Sequence, residues 1–130
     1  LTIKHSIRFL ELVADVYPKL LNGGSASPHS AGQVESWSLA AQTSKEANPT
    51  MPYGKYVRVE HGTPRRAFAK LVLGLYLKDR LNEQEMNKLV GRYWKLAVIT
   101  IEEDSRLAKI ARSKMYSTPE ERWKVAGIRF

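Results

Sequence analysis

Apolar residues recur at three- and four-residue steps along most of the chain, and that pattern lays out its elements before any other property is considered. Ile3, Ile7, Leu10, Val13 and Tyr17, followed by Leu20 and Leu21, predict an amphipathic helix over the first twenty residues. Pro18 should kink or end it near Tyr17, and Asn22-Gly23-Gly24 stops it. Ser30, with Gln33 at capping-box spacing, predicts a second helix that carries Val34, Trp37 and Ala41 and runs out before Asn48-Pro49. Residues 48–54, NPTMPYG, cannot continue a helix and form a hinge.

Beyond the hinge the period changes. Tyr56, Val57 and Val59 alternate with polar residues, which predicts a strand over 56–60. Thr63-Pro64 reads as an N-cap and first-turn signal for a mostly buried helix over 64–80, with Ala67, Phe68, Leu71, Val72, Leu75 and Tyr76 on one face. Arg66, Lys70, Gly74 and Lys78 form its polar strip. Asn82 with Glu85 caps a helix over 83–94 that folds back as a hairpin, and LAVIT, residues 96–100, is the natural partner for strand 56–60. Thr100 with Glu103, and Thr118-Pro119 with Glu121, open two more helices. The expected architecture is mainly α (α+β): five to six helices around the helix at 64–80, with a small two-stranded sheet, all in a single domain spanning 1–130.

Composition narrows the chemistry. The chain has no cysteine, so disulfides, thiolate catalysis and thiolate zinc sites are excluded. No apolar run is long enough to span a membrane, so a soluble chain is expected. No signal-peptide pattern opens the sequence, which begins with Leu1 and reads as a processed product or a piece cut from a longer chain, its compartment unreadable. The net charge of +8 points to nucleic acid, an anionic membrane surface or an acidic protein as partner. It is unevenly spread: residues 1–54 are neutral, 55–80 carry +5 and 81–130 carry +3. The excess begins at the strand-to-helix corner.

At that corner the sequence reads Glu60-His61-Gly62-Thr63-Pro64-Arg65-Arg66. Two arginines opening a helix work against its dipole and call for a negatively charged partner. The stretch from Glu60 to Pro64 resembles the opening motif of HNH-type nucleases, a resemblance that implies a metal-ligating acid and a general-base histidine. The family's motif continues with an asparagine and a second histidine, yet no histidine follows His61, so no metal and no cofactor is expected. A metal-independent ribonuclease needs less: an acid or base, and cations facing the phosphate. His61 is the candidate for proton transfer, as base or acid; Glu60, on the opposite face of the strand, completes the catalytic set as an orienting or merely structural residue, with Arg65, Arg66 and Lys70 against the phosphate. Arg58, Lys70, Lys78, Arg112 and Lys114 are expected to extend the contact along the nucleic acid.

Other candidates have simpler readings. Glu102, Glu103 and Asp104, like Glu120 and Glu121, are first-turn carboxylates that a helix N-terminus favours. His5 and His29 are assigned no role. Trp37, Trp94 and Trp123 read as core, with Trp123 the one that could instead stack on a base. The expectation is a small basic ribonuclease-like domain acting on RNA in preference to DNA. In kind it resembles the toxin domains of colicins and contact-dependent inhibition systems, without a shared motif. That resemblance implies an acidic immunity partner and the bacterial cytoplasm as site of action. A non-enzymatic nucleic-acid-binding module and an adaptor docking an acidic protein are the alternatives.

Overall fold

The computed structural model describes His5 and residues 28–130. The helix anticipated over the first twenty residues and its Asn22-Gly23-Gly24 stop therefore lie, His5 apart, outside the described residues.

Two strands, β1 (Val57–His61) and β2 (Leu96–Thr100), pair antiparallel with Val57 opposite Thr100, Val59 opposite Val98 and His61 opposite Leu96. Alternation along the pleat puts Val57, Val59, His61 and Val98 on one face and Arg58, Glu60, Ala97 and Ile99 on the other. Five α-helices surround this ribbon among the described residues: α1 (Leu39–Ala47), α2 (Arg65–Leu77), α3 (Glu83–Tyr93), α4 (Ile101–Ala111) and α5 (Pro119–Val125). The mainly helical α+β architecture expected from the periodicity is the one the chain adopts. Each capping prediction from Asn82 onward holds: Asn82, Thr100 and Thr118 accept from the backbone N–H of Glu85, Glu103 and Glu121, and Thr100 with Glu103 forms a complete capping box.

Four boundaries differ, each for a local reason. The helix anticipated from Ser30 is broken into a 3-10 segment (Pro28–Gln33) and α1, which begins only at Leu39. Between them the chain is extended, because Val98 donates to Ser36 O at 2.8 Å and accepts from Ser38 N at 2.9 Å. The second edge of β2 takes these residues as a parallel partner. Strand β1 starts one residue late, since Tyr56 closes a 3-10 turn over Tyr53–Lys55. Thr63 does not cap α2; it is 2% exposed, and Pro64 occupies the N-cap without a side-chain bond. Helix α2 also ends early, at Leu77: Asp79 turns left-handed (φ 55°), with Arg80 N bonding Leu75 O at 2.9 Å and Asp79 N bonding Tyr76 O at 3.0 Å. That is a Schellman-type stop. Only Phe68, Ala69 and Val72 of this helix are buried, whereas Tyr76 and Leu77 are 66% and 71% exposed. Its C-terminal end is outer surface, against the expectation of a mostly buried helix.

The core divides by sheet face. Val57 and Val98 pack with Ala31 and Ala41 on one side; Ala97 and Ile99 pack with Leu107, Ala111, Trp123, Ala126 and Ile128 on the other. Phe68, Val72, Val90 and Trp94 form a third cluster within the α2–α3 hairpin. Trp94 and Trp123 are core residues at 5% and 4% exposure, so Trp123 cannot stack on a base. Buried polar groups fasten these layers. Ser38 Oγ accepts from Ala41 N at 3.0 Å, capping α1, and donates to Glu103 Oε1 at 2.5 Å across the fold. Ser38→Ala removes the cap and one partner of a buried carboxylate. Urea unfolding should show a loss of about 1–3 kcal/mol.

Candidate functional site

A cleft of about 310 Å³ opens where the end of β1 meets α4 and α5, and Glu60, Arg65, Asp104, Arg112 and Arg122 line it. Its geometry follows from the pleat: Glu60 points to the α4–α5 face, while His61 points to the opposite one. The His61 ring meets Trp94 edge-on, 5.1 Å between centroids, and Trp94 in turn meets Phe68 at 5.5 Å. His61 thus borders the cleft through its main chain, with its ring set into the α2–α3 side.

Arg122 organises the cleft. It is 3% exposed and makes five hydrogen bonds: Nη1 to Glu60 Oε1 at 2.6 Å and to His61 O at 3.1 Å, Nε and Nη2 to Ala111 O at 3.3 and 3.0 Å, and Nη2 to Arg112 O at 3.4 Å. Ala111 ends α4, so the guanidinium supplies donors and positive charge to a helix C-terminus that would otherwise be buried unsatisfied. The same group joins α4, α5 and β1.

Glu60 sits in a divided field. Burial raises its carboxyl above the ordinary glutamate range and the Asp104 charge adds to the rise; the hydrogen bond and charge of Arg122 oppose it without cancelling it. Arg122 bonds Oε1 at 2.6 Å. The cleft lining thus combines a carboxyl of raised proton affinity with two exposed arginines, Arg65 and Arg112. No group of three or more acidic or histidine side chains among the described residues is placed to hold a metal ion.

The chain matches no known protein family, curated protein or solved structure.

Of the residues singled out in the sequence, Glu60, His61, Arg65 and Arg112 come together at this cleft. Arg66, Lys70 and Lys78 stand exposed on α2 and its C-cap, outside the cleft lining. Arg58 turns back on its own chain, with Nη1 bonding Gly54 O at 2.8 Å and Val57 O at 2.9 Å. Lys114 lies over the Tyr116 ring at 5.3 Å. Two lining residues were missed. Asp104 was absorbed into the helix-start reading of its neighbours. Arg122 did carry a signal: it shares the buried stripe of α5 with Pro119, Trp123 and Ala126, spaced as one helix face. An arginine on an apolar stripe needs a buried acceptor, and Glu60 is that acceptor.

Proposed function

We propose that the chain is a small basic ribonuclease-like domain whose working cleft is the one around Glu60. The observation that carries this reading is the carboxyl of raised proton affinity set among Arg65, Arg112 and Arg122 in an open cleft. Glu60, rather than His61, then takes the proton from an RNA 2′-hydroxyl; the 2′ oxygen attacks its own phosphorus, and the 5′ oxygen leaves and takes a proton from water. Arg65 and Arg112 hold the phosphate and oppose the charge that builds on its oxygens. Arg66, Lys70 and Lys78, exposed along α2, attract the strand beyond the cleft. DNA lacks the 2′-hydroxyl and is not cut. An acidic protein that covers this basic rim would silence the site.

The test is incubation of the protein with transfer RNA, ribosomal RNA and DNA, scored for discrete fragments ending in cyclic phosphate. Glu60→Gln keeps an acceptor for Arg122 and should lower RNA cleavage about a hundredfold with affinity little changed. His61→Ala should retain most of the cleavage. If the folded His61→Ala protein is inactive while Glu60→Gln cuts normally, this assignment is wrong.

A second reading has its own support. Arg122 spends its donors on main-chain carbonyls and Glu60, the pattern of a structural clamp, and this favours a binding module that holds phosphates without cutting them. Salt-sensitive RNA binding with no cleavage is the result that would select it.

A further inference from the structure

A second cavity, of about 850 Å³, lies where α1 faces the 48–56 segment, and its residues are distinct from those of the Glu60 cleft. Its walls are aromatic. Trp37 and Tyr53 meet edge to face, 5.6 Å between centroids with planes 67° apart, and Tyr53 and Tyr56 follow at 6.2 Å and 59°. Edge-to-face packing holds the three rings at steep angles to one another in the cavity wall, and the Trp37 face is open to a cation. The arrangement is fixed in advance. The Trp37 indole N–H donates to Val34 O at 3.0 Å, and the Gln42 amide donates to Trp37 O at 2.9 Å. Tyr53 is backed by Gly32, where a Cβ would come within 3.4 Å of its hydroxyl.

The charge around this cavity runs against that of the molecule. Among the described residues, Glu35 and Glu46 line it with Lys45 as the one basic residue, although the chain as a whole carries +8. Lys45 itself shows what the cavity attracts: its ammonium lies 4.9 Å over the Trp37 ring. The site is already holding a cation from its own chain. A nucleic-acid base would bring phosphates against two carboxylates, whereas a cation meets both carboxylates and the ring faces favourably.

We propose that this cavity binds a quaternary ammonium group, which displaces Lys45 from Trp37. A methylated ammonium has no N–H groups to leave unsatisfied against aromatic walls, while the lysine ammonium is strongly hydrated and gives up hydrogen bonds to water when it sits there. The group can come from a free small molecule such as choline or from a trimethylated lysine in a protein. The site is separate from the Glu60 cleft and stands whether or not RNA is cut.

The test is titration of the full chain with tetramethylammonium, followed through the indole N–H resonances. Trp37 should shift saturably, while Trp94 and Trp123, at 5% and 4% exposure, serve as internal controls. Lys45→Ala and Glu46→Gln change exposed side chains and leave the fold in place. Lys45→Ala removes the internal competitor and should tighten binding about two- to fivefold; Glu46→Gln should weaken it by a similar factor. The uncharged isostere 3,3-dimethylbutanol should not saturate the site. Parallel titrations with choline and with a trimethyllysine peptide identify the source by which binds more tightly. No saturable Trp37 shift in either the wild type or Lys45→Ala, equal affinity for the uncharged isostere, or weaker binding by Lys45→Ala would each overturn the proposal.

Discussion

Arg122→Ala is expected to destabilise the protein by about 3–5 kcal/mol, because it leaves a buried carboxyl and the carbonyls of His61, Ala111 and Arg112 without their donor. The denaturation midpoint in urea reads this directly. Arg122→Lys keeps the charge but cannot reproduce five forked bonds, so it should fall between wild type and Arg122→Ala. The deficit also depends on pH. Burial raises the pKa of Glu60, so the folded state holds this proton more tightly than the unfolded chain does. The stability from this linkage is fully present below the ordinary glutamate pKa and is lost as pH rises through the raised one. Removing Arg122 takes away the influence that opposes the rise and moves the folded pKa further up. Arg122→Ala should therefore lose less stability in acid than at neutral pH. Equal losses at both, or a loss under about 1 kcal/mol, would mean that the clamp does not hold the layers together.

The second large effect is steric. A Cβ on Gly62 would lie 2.1 Å from Pro119 Cβ, 2.7 Å from Pro119 Cγ and 3.0 Å from Trp123 Cζ2. None of these atoms can swing aside, since Pro119 is a closed ring at the start of α5 and Trp123 is core. Gly62→Ala should cost about 3 kcal/mol through overpacking, and more if α5 must lift off the sheet. Gly74 and Gly91 are the controls: each lies in a helix with nothing within 4 Å of its added Cβ, so alanine there should stabilise by about 0.5–1 kcal/mol. If Gly62→Ala unfolds at the wild-type midpoint, the close approach of β1 and α5 is not as described.

Much of the fold was legible because its signals are local. LAVIT became β2 at its expected limits, and the three caps at Asn82, Thr100 and Thr118 act through side chains only three residues from their targets. The failures occurred where distant groups decide. Val34 and Trp37 have helical spacing, but the free edge of β2 holds the chain extended beside them until Ser38. Thr63 has the chemistry of a cap, yet Gly62 must tuck beneath Pro119 and the turn is spent on that contact. The candidate site divides the same way. The alternation that separated Glu60 from His61 was readable; which face would become a cleft depended on Arg122, 62 residues downstream of Glu60. The exposed Tyr76 and Leu77 show the limit of periodicity, which marks an apolar face without saying what covers it.

The pairing of Ser38 with Glu103 and of Glu60 with Arg122 spans 65 and 62 positions of chain. Both closures draw on the last thirty or so residues, and β2 itself must arrive before either edge of the ribbon can form. On a ribosome, the strand at 57–61 and the helices after it emerge with their inner faces still uncovered. Local hairpins can form on the way, but the contacts around β1 close only when α5 has left the exit tunnel.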